Sequence, residues 1–407
     1  MKRILLFFFV LFLFIQAYTQ SNKNWITDLD ILKTELLQKE YLFSKFSKTK
    51  FKKEVHNLKN LSPISKEEEF WIINHLLSKF NNPNITLQNI EFKRFPFEIK
   101  QFEGIYYITS ISSELSNYLG YKLQKINGFP LSNILKKAQN NSLNIKPFLE
   151  YYKFSKTDTL HLELLSDNEK HIEINFLFDK FYDLEEMTKI TPKKIPFYLE
   201  KQDRWFWQYG INFGQQVYFK YNIGLSKEFI EKHHDNLQVS YFKLAKNYNL
   251  PLQSIYDAPT FDDFTTKLFC KFKKRRYKKL FIDFRNNKTG NVLVLDNFIQ
   301  KLKKIKRINK RNRLYIFVDK SISTSAMEMV LAFKNETKAL IVGEEVTKTA
   351  CSTDKIKSFL LDNNNFKIYY PTQYFKQITI EPDVKVITTF DNYINGVDPI
   401  LQKALNL

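Results

Sequence analysis

Three short apolar runs separated by two helix-length segments, all within residues 279–349, constrain this chain more than any other stretch. Leu280 to Phe284, Leu314 to Val318 and Leu340 to Val342 are too brief for buried helices and rich in β-branched and aromatic residues, so interior strands are expected. Val292 to Ile305 and Ser325 to Phe333 carry apolar residues three and four apart, the period of a helix with one buried face. The order is β-α-β-α-β. Parallel strands with crossover helices gather the loops that follow the strands along one edge of the sheet, where α/β proteins place their ligands. The loops 285–291, 319–325 and 343–349 should meet there.

Five motifs then follow one another. They are Asp283-Phe284-Arg285-Asn286-Asn287-Lys288-Thr289-Gly290, Thr324-Ser325-Ala326-Met327-Glu328, Val342-Gly343-Glu344, Pro382-Asp383-Val384 and Gly396-Val397-Asp398-Pro399-Ile400-Leu401. In this order they resemble the tail-specific (C-terminal processing) serine peptidases and their tricorn-like relatives, well over Tyr218 to Leu405 and more loosely from Gly104. The resemblance implies a crotonase-like α/β core over 195–407, with a parallel sheet and crossover helices, and a serine nucleophile. It implies no cofactor.

At the start, Met1-Lys2-Arg3, the apolar run Ile4 to Ile15 and then Ala17-Tyr18-Thr19 have the layout of a secretory signal, expected to cover 1–19. The run falls short of the about 20 apolar residues that span a bilayer, and no second long run follows. An exported protein, periplasmic or extracellular, with no stable membrane span is expected; an uncleaved anchor is the alternative. The chain has 407 residues, enough for two or three domains. Its formal charge is +20, and the runs Lys271 to Arg276 and Lys301 to Arg313 could meet nucleic acid or another polyanion. Lysines spread over the whole length and the second run closes a surface helix, where cations suit the dipole, so nucleic acid is not an expected partner. Cys270 and Cys351 are the two cysteines and either pair or stay free; with six scattered histidines they give no metal-ligand spacing.

Residues 20–92 read as a helical region, with helices at Trp25 to Gln38, Phe51 to Leu61 and Ser65 to Phe80, the last begun by the capping box Ser65-Lys66-Glu67-Glu68. Residues 93–180 switch to alternation and turns: a strand at Ile105 to Thr109, a short helix at Ser112 to Leu119, and Leu123 to Pro130 as a strand with an Asn127-Gly128 turn. Leu119-Gly120 and Ile126-Asn127-Gly128 resemble the second half of a PDZ-like module. Such a module binds an extended peptide along a sheet edge; a β-rich spacer with a closed groove is the other reading. Val217 to Asn222 should be the first core strand, Ser226 to Tyr277 helical with a surface loop, and Ser358 to Leu361 with Phe366 to Tyr370 a hairpin within the core.

Chemistry converges on Ser325. Peptide hydrolysis needs a nucleophile, a base for its proton and donors for the oxyanion. Ser325 begins a helix, so the Ala326 amide is one expected oxyanion donor; the resemblance places the second in the loop after the first strand, at Gly290, where the family usually has a Gly-Gly pair and this chain has Thr289-Gly290. Asp283 and Arg285 should pair and brace that loop, with Glu328 and Glu344 supporting the site. Ser325-Ala326-Met327-Glu328 also reads as a capping box, in which the hydroxyl only satisfies the helix start. The resemblance places a lysine base in the loop after Gly343-Glu344, where Lys348 stands; His233 or His234 is the alternative. Two functions follow: an exported serine endopeptidase acting on peptides or proteins, or a catalytically impaired relative that binds peptide or a cell-envelope protein. Oligomeric state is not legible.

Overall fold

The computed structural model describes residues 23–61, 65–82, 84–88, 96–138, 149, 153–155, 159–177, 187–213, 215–237, 240–248, 250–273, 277–349, 356–363, 365–373 and 377–407. The expected signal at 1–19 and Cys351 lie outside the described residues, while Cys270 is exposed. The chain divides into two compact units, Met1–Ile190 with Lys355–Tyr374, and Thr191–Asp354 with Phe375–Leu407. Both mix helices and sheets.

The second unit holds the segments that organise the sequence. Its main sheet is built from β1 (Phe206–Ile211), β2 (Gln216–Tyr221), β3 (Lys279–Asp283), β4 (Leu314–Val318), β5 (Leu340–Gly343) and β6 (Val384–Lys385), and these lie side by side in chain order. β1 runs antiparallel to β2, and every later neighbour is parallel. The helices α1 (Leu293–Lys303) and α2 (Thr324–Glu336) cross over from β3 to β4 and from β4 to β5. Four further helices, Lys227–Leu237, Tyr241–Tyr248, Leu252–Tyr256 and Phe261–Lys273, fill the longer passage from β2 to β3. The final helix α3 (Pro399–Leu405) has proline at its first turn and Asp398 as cap, its carboxylate accepting from the Leu401 amide at 3.0 Å.

All five residues of β4 are buried because both faces of the sheet are covered. Leu314, Ile316 and Val318 face a core shared with Leu295, Phe298, Ile299 and Phe333 of the crossover helices. Tyr315 and Phe317 face a second core with Tyr198, Trp207, Ile400 and Ala404. A strand with apolar side chains on both faces cannot slip by one residue without exchanging every contact.

The first unit carries a helix at 23–37, the helices Lys48–Lys59 and Lys66–Ser78, and a β-rich part whose strands include Phe97–Phe102, Ile105–Ile111, Lys122–Ile126, Thr159–Leu165 and His171–Leu177. The hydroxyl of Ser65 accepts from the Glu68 amide at 3.1 Å, as a cap should. Asn127 and Gly128 both take the left-handed conformation that a tight hairpin turn requires. The hairpin Ile356–Leu361 and Phe366–Pro371 forms, but it belongs to this unit and not to the core segment where the sequence sets it. It pairs with Thr86–Gln88, a short strand inside the region read as helical. No described helix is long and apolar enough to cross a membrane.

Gly343, at the end of β5, has φ 137°, and a Cβ there would stand 1.9 Å from the Val318 carbonyl oxygen of the paired strand. Gly343→Ala combines left-handed backbone strain with that clash. It should lower the unfolding free energy by at least about 2 kcal/mol in urea titration.

Candidate active site

Loops from three strand ends do meet at one rim. After β3, the Asn287 side chain donates to the Tyr221 carbonyl at 2.9 Å and meets the Ser323 hydroxyl at 2.7 Å, while the Asn286 amide donates to Ser321 Oγ at 2.8 Å. After β5, the Lys348 ammonium donates to the Ile322 carbonyl, and the Glu344 amide to the Val318 carbonyl at 3.1 Å. The segment 319–323 is thus held from both sides.

The helix behind this rim starts one residue earlier than its apolar pattern suggests. Its cap is Ser323, whose Oγ accepts from the Ala326 amide at 3.1 Å. Ser325 is the second helical residue, so the expected capping box over 325–328 does not form. Its half-buried hydroxyl contacts Ser323 Oγ at 2.9 Å and carries no capping duty. Of the expected oxyanion donors, the Ala326 N–H is therefore engaged by the cap. Gly290 pairs with Gly224 in a two-residue parallel ladder, and a Cβ on Gly290 would come within 2.5 Å of Gly224 Cα and 2.6 Å of Met329 Cε. Its glycine is required by close packing against Gly224 and α2. Gly224, with the reciprocal clash, escapes sequence reading because nothing near it repeats a motif.

Lys348 stands on the strand Val346–Thr349 and is half-buried. Burial pushes its ammonium below the ordinary lysine value, opposed by Asp319. His233 and His234 sit on the helix Lys227–Leu237, where His233 Nδ1 meets the Phe229 carbonyl at 2.9 Å and the His234 ring packs on Tyr241. Glu328 lies in the first turns of α2, and the Glu344 carboxylate accepts from the Thr388 amide at 3.3 Å. Among the described residues no cluster of His, Cys, Asp or Glu could hold a metal.

Beneath the rim lies a buried ionic cluster. Arg285, 1% exposed, reaches Asp283 through Nε at 3.0 and 3.1 Å, and Asp398 through Nη1 at 2.9 Å and Nη2 at 2.7 Å. Its guanidinium lies 4.0 Å over the Tyr198 ring, and the Tyr218 hydroxyl donates to Asp283. Lys220, fully buried on β2, donates to the Arg285 carbonyl and stands 3.9 Å from Asp283. Sequence reading finds the Asp283/Arg285 pair but neither the reach to Asp398 nor Lys220. The signal for Lys220 was a lysine inside the apolar run Val217 to Tyr221. Burial alone would raise the Asp283 carboxyl, but Arg285 and Lys220 beside it hold it below its usual value. Burial drives Lys220 down from 10.5 to about 8, with Asp283 opposing and Arg285 assisting.

Two cations and two carboxylates balance, so removing one carboxylate leaves buried positive charge unpaired. Asp283→Ala should cost about 3–5 kcal/mol of unfolding free energy. Lys220 has its own signature. Because its folded value of about 8 lies below its ordinary 10.5, the unfolded chain binds more protons between them, and stability rises with pH across that window. In Lys220→Met this part of the rise, roughly 3 kcal/mol in all, should be missing from unfolding measured at pH 8 and at pH 10.

No protein-family model and no curated protein matches the sequence. Among solved structures the chain is similar to a CPAF mutant, at 11% identity over 93% of this chain and 95% of that one with a TM-score of 0.57. It is similar to mature CPAF complexed with lactacystin at 10% identity, over 95% and 98%, again with a TM-score of 0.57. A photosystem II D1 C-terminal processing protease matches at 11% identity over 82% and 86%, with a TM-score of 0.35. What the chain shares with CPAF over nearly the full length of both is a fold.

Proposed function

We propose that this chain is an exported serine-type peptidase of the tail-specific kind, with a crotonase-like core and a PDZ-like module ahead of it, acting on peptides or proteins. The observation that carries this reading is that Ser323, and not Ser325, caps the helix. A hydroxyl at the second helical position has no structural bond to the helix backbone to keep. It is half-buried at the rim where the strand bearing Lys348 arrives, and the positive end of α2 favours an oxyanion beside it.

In this reading Ser325 Oγ attacks the scissile carbonyl carbon and its proton passes to neutral Lys348. The amides of Ala326 and Gly290 are the donors for the carbonyl oxygen. The tetrahedral adduct collapses with the C–N bond breaking, the amine leaves with the proton from Lys348, and water then hydrolyses the acyl-serine. Burial favours the neutral lysine such a step requires. Asp283, Arg285, Glu328 and Glu344 hold the loops and do not react.

The engaged Ala326 amide, with Thr289 where the family usually has glycine, favours a second reading as a catalytically impaired relative that binds peptide or an envelope protein. Purified mature protein treated with a fluorophosphonate decides between them. The peptidase should be labelled at Ser325, and Ser325→Ala should be silent; equal silence of the wild type leaves the binding protein. The labelling rate should climb with pH, with its midpoint below the ordinary lysine value of 10.5, since the neutral amine is the active form. Lys348→Met should lose that climb.

A further inference from the structure

The hydrogen bonds around Ser323 fix the direction in which Ser325 gives its proton. Asn287 is 3% exposed, and its amide nitrogen must face the Tyr221 carbonyl, an acceptor only, at 2.9 Å. Its oxygen therefore faces Ser323, 2.7 Å away, and can only accept. The single proton of Ser323 is consumed there. One lone pair of Ser323 Oγ takes the Ala326 N–H at 3.1 Å. The contact to Ser325 at 2.9 Å then has one solution, in which Ser325 donates and Ser323 accepts.

We propose that Asn287, acting through Ser323, latches the site. Both are positioning residues, and the inference rests on the reading of Ser325 as nucleophile. Ser323 occupies two of the parts that acyl transfer needs at once, the proton of Ser325 and the N–H of Ala326. Neither Ser323 nor Asn287 is a base, so a proton donated into this chain goes no further. A substrate carbonyl must displace Ser323 from the Ala326 amide, and Lys348 must displace it from the Ser325 hydroxyl, before the nucleophile is free.

Ser323→Ala removes the latch and should raise the rate of fluorophosphonate labelling at Ser325 about two- to tenfold, the worth of one ordinary hydrogen bond, while the melting temperature falls through loss of the cap. Ser323→Thr keeps the hydroxyl and should keep the wild-type rate. Asn287→Ala frees the Ser323 proton to turn toward Ser325 and should also raise the rate. A residue that merely held the helix start would lower stability and labelling together, so an unchanged or slower rate in Ser323→Ala overturns the latch. Neutron diffraction from deuterium-exchanged crystals reads the bond itself, independent of any chemistry. Deuterium on Ser325 Oγ directed at Ser323 is expected, and deuterium on Ser323 directed at Ser325 overturns the proposal. If the deuterium stands as expected but neither wild type nor Ser323→Ala is labelled, the peptidase reading fails and the latch with it, whereas labelling of wild type without acceleration sinks the latch alone.

Discussion

The contact between Arg285 and its two carboxylates governs the geometry of the rim. Asp283 ends a central strand, Asp398 caps the last helix, and Arg285 sits in the loop between β3 and α1. A bidentate guanidinium bridge is directional in a way that apolar packing is not. It fixes where the chain leaves β3, and hence where Asn287, two residues on, can put its amide. An isolated charge in such a place would be prohibitive. The compensation comes from complete pairing, with the Tyr218 hydroxyl and the Tyr198 ring closing the remaining sides. Lys220 is the most loosely held member, with the Arg285 carbonyl as its close partner and the Asp283 carboxylate at 3.9 Å.

Much of the core was legible because its strands are apolar on both faces and its helices on one, which local composition records. The expected strands and crossover helices of 279–349 appear within one to three residues of their observed limits. Less legible was whatever depends on a partner far along the chain. The hairpin 356–371 is plain as a hairpin, but its attachment to Thr86–Gln88 spans some 280 residues and leaves no mark in either segment. A sheet edge accepts any strand of suitable register, so the choice between units is made by the whole fold and not by the strand.

The scarcity of glycine sharpens the reading of those that remain. The chain has nine. Gly224 and Gly290 face one another under Met329 so closely that neither admits a Cβ. The sequence motif suggested that Gly290 is a glycine for the sake of a substrate. The structure supplies a nearer cause, the approach of two backbones beneath α2. Thr289, where the resemblance leads one to expect glycine, sits in the same short ladder and pairs with Ile223. A side chain is tolerated there because the close contact falls one residue later.

The start of α2 shows where sequence reasoning divides. Ser321, Ser323, Thr324 and Ser325 all offer hydroxyls within five positions, and the spacing Ser325 to Glu328 satisfies the capping-box pattern as well as any. Propensity cannot choose among them. The choice is made by Asn287, which arrives from another loop with a buried amide that needs an acceptor on one side and a donor on the other. Ser323 satisfies it, and in doing so takes the cap. Once that bond is made, Ser325 lies within the first turn with its hydroxyl unused by the backbone. In the proposed peptidase, cap and nucleophile cannot be one residue, since a hydroxyl that holds an amide of the helix has no freedom to attack. In that reading two serines two residues apart divide the duties, and the 2.9 Å between their hydroxyls is what would let the first govern the second.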